Sequence, residues 1–90
     1  MTTKTQRAHV EIWLTRTCPF CIAAKRLLDT AGIQYEVHDL TDHPNRRAAT
    51  DAILKGHRTV PLVVIDGEPI GGFTELERLA ETGGLMQRVF

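Results

Sequence analysis

Two cysteines separated by two residues, Cys18 and Cys21, directly follow an apolar stretch near the start of the chain. Pro19, between them, lacks a backbone N–H and has φ near the helical value, so it suits the first position of a helix. A helix is therefore predicted to begin here, with Cys18 at its N-terminus and Cys21 inside its first turn. The unpaired N–H groups and the helix dipole would favour the thiolate form of Cys18, the nucleophile in disulfide exchange.

Redox chemistry is one of three uses for such a pair, beside half of a zinc site and a structural cross-link. Zinc usually takes four ligands, and the chain has no second cysteine pair. Four histidines show no paired ligand spacing: His9, His38, His43 and His57. A ring of four residues constrains the unfolded chain very little, so a cross-link would add little stability. The pair favours a redox-active dithiol, and no metal is expected.

Length and composition allow one small domain with a modest core, since 42% of the 90 residues are hydrophobic. We expect a single domain over 1–90, with the polar residues 1–8 as a disordered lead-in. The formal net charge of zero indicates no surface for nucleic acid or anionic membrane. No stretch resembles a signal core or a membrane span, and one short cysteine motif is not a secreted disulfide framework. A cytoplasmic monomer is expected.

Apolar patterning predicts the element order β-α-β-α-β-β-α. The strands are expected at 10–14, 33–40, 62–65 and 68–70, and the last two should form a hairpin around Asp66-Gly67. Helices are expected over 19–31 and 44–54, and from an N-cap at Thr74 onward, with a short final turn in 85–90. The opening strand–helix–strand unit predicts that the first two strands run parallel.

The pattern of residues also predicts which individual side chains are buried and which are exposed. The unbroken apolar run 62–65 is typical of a strand buried on both faces. Ala48 and Ala52, with Ile53, are expected to form the thin apolar face of the second helix. Trp13 is expected in the core, and His57 at the surface instead of acting as a proton shuttle.

Three separated motifs now coincide: Cys18-Pro19-Phe20-Cys21 after the first strand, Thr59-Val60-Pro61 before the third, and Gly71-Gly72 after the fourth. With them the chain resembles a glutaredoxin of the dithiol type over about residues 9–86. The resemblance implies an α/β, thioredoxin-like fold with a four-stranded mixed sheet flanked by helices. It also implies an enzyme that reduces protein disulfides and glutathione mixed disulfides, with glutathione as reductant and co-substrate and no bound cofactor.

The resemblance assigns a role to each motif. Cys18 would be the nucleophile and Cys21 the resolving cysteine. Pro61 would be the family's cis proline, and the backbone beside it would pair with the cysteinyl residue of glutathione, at Thr59 and Val60. A helix start would hold the γ-glutamyl carboxylate through backbone N–H groups, those of Gly72, Phe73 and Thr74.

The chain departs from the family pattern around the thiol. Phe20 stands where dithiol members usually have Tyr, and Thr15 stands where many have Lys, which leaves Arg16 as the nearest cation. Arg58, before the second motif, either supports the glycyl carboxylate or is a solvated loop residue. Supporting roles are therefore open for Arg16, Phe20 and Arg58.

A second departure concerns the usual Cys-Asp after the paired glycines, which is Phe73-Thr74 here. A carboxylate for the α-amino group of glutathione is therefore missing, although Glu75 is close by. This leaves open a glutaredoxin-like redoxin that thioredoxin reductase reduces and that supplies electrons to a reductase such as ribonucleotide reductase.

A third possibility is an iron–sulfur cluster held between two chains by thiolates like that of Cys18 and by glutathione. Pro19 argues against it, because cluster-binding members usually have a smaller residue there. The expected partners are glutathione, disulfide-containing or glutathionylated proteins and, for the redoxin alternative, thioredoxin reductase.

Overall fold

The computed structural model describes residues 5–90 of the chain. Its strands are β1 (Val10–Leu14), β2 (Glu36–Asp39), β3 (Leu62–Ile65) and β4 (Glu68–Gly71). Its helices are α1 (Pro19–Thr30), α2 (Arg46–Ile53), α3 (Phe73–Glu81) and α4 (Gly84–Val89). The predicted order is confirmed, with a short fourth helix where a final turn was expected. Within the described part of the chain, each helix is too short or too polar to cross a bilayer.

The four strands form one mixed sheet in the order β2-β1-β3-β4. β1 and β2 run parallel, as the helical crossover between them predicts. β3 pairs antiparallel with β1 on one side and, through the Asp66-Gly67 turn, with β4 on the other. Pro69 therefore lies on an edge strand, where its missing N–H disturbs the sheet least.

The core lies between one face of the sheet and the helices α1, α3 and α4. Alternate residues of β1 point into it and are buried, namely Val10, Ile12 and Leu14. All four residues of β3 are buried, as its unbroken apolar run predicts. α1 contributes three fully buried side chains to the same core, Cys21, Ala24 and Leu28. The second cysteine of the motif is therefore part of the hydrophobic core.

The interior face of α2 differs from the prediction. Ala48 and Ala52 are exposed, and Thr50 is the buried residue of this helix. Its hydroxyl lies 3.4 Å from the carbonyl oxygen of Arg46 and 3.2 Å from that of Arg47 and donates within the helix. A threonine that satisfies its hydroxyl in this way can be buried without a partner elsewhere, which helical spacing of apolar residues does not reveal.

Two further predictions were wrong. Trp13 lies outside the core cluster, half-buried, with its ring stacked on that of His38 at 4.2 Å between centroids. The N-cap of α3 is Gly72 and not Thr74. Glu75 explains the earlier start, because its Oε1 accepts a hydrogen bond from the Gly72 N–H at 3.1 Å, as the third helical residue does in a capping box.

The prediction that residues 1–8 form a disordered lead-in is wrong for residues 6–8, and residues 1–4 lie outside the described part of the chain. The N–H groups of Arg7 and Ala8 both point to the carbonyl oxygen of Val89, at 2.7 and 3.3 Å, and the Ala8 side chain is buried in the core. The Gln6 amide pairs with the backbone of Gln34, accepting from its N–H and donating to its carbonyl, each at 2.7 Å.

The variant Gln6→Ala tests this attachment. It removes both side-chain bonds to Gln34, so the free energy of unfolding should fall by about 1 kcal/mol, measured by urea denaturation. Hydrogen exchange of the Gln34 amide should accelerate. Thr5→Ala, which changes an exposed neighbour, serves as the control. Unchanged unfolding and unchanged Gln34 exchange in the Gln6 variant would show that the segment is not attached.

Candidate active site

Sheet topology brings two distant loops to one end of the molecule. β1 and β3 are antiparallel, with Trp13 opposite Leu62, so the last residues of β1 lie beside the first residues of β3. The loop that leaves β1 carries Cys18, and the loop that enters β3 carries Val60 and Pro61. Residues far apart in sequence therefore meet at the N-terminus of α1.

Cys18 is the N-cap of α1, with Pro19 at the first helical position as predicted. Its Sγ accepts a hydrogen bond from the backbone N–H of Cys21 at 3.3 Å. On its other side Sγ lies 3.6 Å from the carbonyl oxygen of Val60, to which the thiol form donates. The Val60–Pro61 peptide bond is cis, as predicted. The sulfur thus lies between the start of a helix and the strand-entry loop, and its side chain is half-buried.

Cys21 occupies a different environment one turn along α1. Its side chain is 1% exposed and packs in the hydrophobic core. Burial, and next the hydrogen bond with Cys18, raise the pKa of the Cys21 thiol to about 12. At neutral pH Cys21 is therefore protonated and enclosed, so the half-buried Cys18 is the sulfur that a large substrate can reach.

A surface groove of about 200 Å³ lies beside these two loops. Its lining includes all six residues that the resemblance assigned to glutathione binding, namely Thr59, Val60, Pro61, Gly72, Phe73 and Thr74. The other three lining residues are Phe20, His57 and Glu75. Phe20 is 64% exposed, and its ring lies 6.2 Å from that of Phe73. The three sequence motifs thus form one continuous surface with an aromatic pair on its rim.

The start of α3 forms one end of this groove. The Glu75 carboxylate caps the Gly72 N–H, while the N–H groups of Phe73 and Thr74 belong to the first helical positions, which have no partner within a helix. Gly71 makes room for this cap. It has φ of +124°, and a Cβ there would lie 2.7 Å from Glu75 Oε1.

The two arginines considered as supports do not line the groove. Arg16 forms ion pairs with Asp39 at 3.5 Å, at the end of β2, and with Asp42 at 3.3 Å, in the loop that follows. Hydrogen bonds from Thr41 lower the pKa of the Asp39 carboxyl, and the Arg16 charge adds a smaller effect. Arg58 Nε lies 3.9 Å from Asp51 Oδ1, also outside the groove.

His57 is the groove residue that sequence reasoning missed. It is half-buried instead of lying on the surface, and its Nε2 is 3.2 Å from the carbonyl oxygen of Pro61. A lone histidine in a polar loop has no spacing that indicates such a position. Its only signal was its place two residues before Thr59.

Comparison with known proteins identifies the family. Residues 10–70 match the family model for glutaredoxin. The chain belongs to the glutaredoxin family. It is 38% identical over 79 residues to a probable glutaredoxin of Synechocystis, covering 88% of this chain and 72% of that protein. Glutaredoxin 3 of Escherichia coli is 36% identical over 80 residues, covering 87% of this chain and 93% of that protein.

Solved glutaredoxin structures share the fold. The buckwheat glutaredoxin–glutathione complex superposes with a TM-score of 0.81 at 28% identity, covering 91% of this chain and 76% of that chain. The mixed sheet flanked by helices is therefore the thioredoxin-like fold of glutaredoxins. As a family member with a Cys18–Cys21 pair, the protein is a thiol-disulfide oxidoreductase.

The two thiols should differ sharply in alkylation. In the reduced native protein, iodoacetamide should modify Cys18 at neutral pH and leave Cys21 unmodified, because Cys21 is buried and its pKa is raised to about 12. Peptide mapping by mass spectrometry reads out both sites. The urea-unfolded protein is the control, in which both cysteines should react. Labelling of Cys21 before Cys18 in the native protein would overturn the assignment.

Proposed function

We propose that this glutaredoxin uses glutathione as its reductant and acts on glutathione mixed disulfides and on protein disulfides. The observation that carries the proposal is the position of the Cys18 sulfur, 3.6 Å from the Val60 carbonyl oxygen and beside the groove that ends at the start of α3. A tripeptide thiol in this groove would have its sulfur at Cys18 and backbone partners on both sides.

The proposed deglutathionylation uses Cys18 alone. Its thiolate attacks the glutathione sulfur of the mixed disulfide, forms a disulfide with that sulfur, and releases the substrate's thiolate, which takes up a proton. A second glutathione thiolate then attacks the glutathione sulfur bound to Cys18. Glutathione disulfide leaves, and the Cys18 thiolate is restored, so one free glutathione is consumed for each substrate thiol released, and the other half of the glutathione disulfide comes from the mixed disulfide itself.

Binding in the groove would rely on the backbone more than on charged side chains. The Val60 backbone would pair with the cysteinyl residue, and the N–H groups of Phe73 and Thr74 would receive the γ-glutamyl carboxylate. α3 spans nine residues, so its N-terminus has the unpaired N–H groups and the dipole that attract an anion. Phe20 and Phe73 would cover the apolar side of the peptide.

Reduction of a protein disulfide would use both cysteines. Cys18 attacks one sulfur of the substrate and forms a mixed disulfide with it. Cys21 then loses its proton, attacks the Cys18 sulfur and releases the reduced substrate, which leaves a Cys18–Cys21 disulfide. The closeness of the two residues supports this step, since the backbone N–H of Cys21 donates to the Cys18 sulfur at 3.3 Å.

A second candidate is the redoxin reduced by thioredoxin reductase. It is favoured by one observation at the start of α3, where Thr74 supplies no carboxylate and that of Glu75 is engaged with the Gly72 N–H. The α-amino group of glutathione would then lack a free acidic partner in the groove.

Pro19 argues against the cluster-binding alternative, because its exposed ring follows Cys18 directly. A visible absorbance band after anaerobic reconstitution would favour that alternative.

We place this chemistry in the cytoplasm. Reversible use of a dithiol suits a reducing compartment. The partners proposed are glutathione and glutathionylated or disulfide-containing proteins, with the chain acting as a monomer.

Cysteine variants separate the two reactions. Cys21→Ser should keep much of the activity on a small glutathione mixed disulfide, because that cycle needs only Cys18. Cys18→Ser should reduce activity to background, since the buried Cys21 cannot take its place. On a protein disulfide without glutathione, Cys21→Ser should stop turnover and accumulate the mixed disulfide, visible on non-reducing gels.

A coupled assay of NADPH oxidation identifies the reductant of the wild-type protein. Glutathione with glutathione reductase should support the wild type, whereas thioredoxin reductase alone should not. Support from thioredoxin reductase alone, together with equal loss of both activities in Cys21→Ser, would favour the redoxin and contradict the proposal.

A further inference from the structure

Four side chains that can bind metals meet on the face of the sheet opposite α1. His9 and Glu11 are two residues apart at β1, and Glu36 and His38 are two residues apart on β2. In an extended chain, residues two apart point to the same face. The parallel register sets Glu11 directly beside Glu36, so the two pairs form one cluster between the strands.

The ligand atoms of this cluster lie close together. His9 Nε2 is 3.1 Å from Glu11 Oε1 and 4.0 Å from Glu36 Oε2. His38 Nε2 is 3.8 Å from Glu11 Oε1 and 2.8 Å from Glu36 Oε2. One ligand atom from each of His9, Glu11 and Glu36 lies within 4.8 Å of the other two, and His38 contacts both carboxylates from the β2 side.

These separations suit a single ion. Zinc binds imidazole nitrogen and carboxylate oxygen at about 2.0–2.2 Å, so two ligands in tetrahedral geometry lie roughly 3.3 Å apart. The four distances, 2.8 to 4.0 Å, fall on either side of that value. The donor set of two imidazoles and two carboxylates is one that zinc and related divalent transition metals accept.

The state of His38 points to a ligand as well. Its Nε2 atom is buried and makes no hydrogen bond, even though Glu36 Oε2 lies only 2.8 Å away. Such a contact without hydrogen-bond geometry is expected where two ligand atoms face a common ion instead of each other. Stacking on Trp13 holds the His38 ring in place.

Charge supports the same conclusion. Glu11 and Glu36 occupy facing positions on neighbouring strands, where two carboxylates repel each other. A divalent cation between them would cancel both charges. Of the two glutamates, Glu11 is the more buried, with 24% of its side chain exposed against 52% for Glu36. An ion between them would therefore be partly buried at Glu11 and reachable from solvent at Glu36.

We propose that His9, Glu11, Glu36 and His38 form a binding site for a divalent transition-metal ion of the zinc class, which links β1 to the edge strand β2. The site is separate from the dithiol and independent of the glutathione groove.

Isothermal titration with ZnCl2 tests the proposal on the untagged full chain carrying Cys18→Ser and Cys21→Ser, so that the dithiol cannot bind the metal. One ion per chain should bind and raise the melting temperature. In this background Glu36→Gln should weaken binding by more than the roughly 10–100-fold that loss of an outer-shell partner costs. Glu77→Gln, at an exposed position on α3, is the matched control and should bind as before.

A fluorescence measurement locates the ion without reference to activity. Trp13 is the only tryptophan of the chain and stacks on His38, so Cu²⁺ bound at His38 should quench its emission with the same one-to-one stoichiometry, and Zn²⁺ should compete. Absence of zinc binding, equal binding by the Glu36→Gln variant, or copper binding that leaves Trp13 emission unchanged would each overturn the proposal.

Discussion

The antiparallel pairing of β1 with β3 at the centre of the sheet is the constraint on which the site depends. It places the loop that leaves one strand beside the loop that enters the other, so Cys18 and Val60 lie side by side although 42 residues separate them. β1 buries the apolar side chains of one face, and a register shift by one residue would turn those side chains out of the core. The geometry around the sulfur is therefore maintained by the same packing that stabilises the fold.

A single turn of α1 gives two chemically similar residues different properties. Cys18 is at the N-cap, half-buried, with a backbone N–H directed at its sulfur, whereas Cys21 points into the core. Burial opposes the charged form of a thiol and explains the raised pKa of Cys21. The proposed division into an attacking and a resolving cysteine rests on the direction in which each side chain leaves the helix.

Local sequence chemistry predicted those features that depend on neighbouring residues. Pro19 marks the start of α1, the Asp66-Gly67 turn produces the hairpin, and the crossover helix makes β1 and β2 parallel. The family resemblance placed the groove residues at both ends of the site. The local signals act over a few residues or within one supersecondary unit, so they can be recognised before the fold is known.

Features that depend on register or on tertiary contacts were not predicted. The cluster of His9, Glu11, Glu36 and His38 forms only when two strands 25 residues apart align in parallel, and linear spacing of histidines does not reveal it. The attachment of residues 6–8 depends in the same way on contacts with the end of α4 and with Gln34. Burial of Thr50 depends on a hydroxyl that bonds within its own helix.

One groove, from Val60 to the start of α3, is proposed to receive glutathione with its sulfur at Cys18. A structure of the Cys21→Ser protein with glutathione disulfide-bonded to Cys18 tests this most directly. We expect the cysteinyl backbone to pair with Val60 and the γ-glutamyl carboxylate to accept hydrogen bonds from the N–H groups of Phe73 and Thr74. A bound glutathione that extends away from α3, with no contact to Val60, would contradict the account.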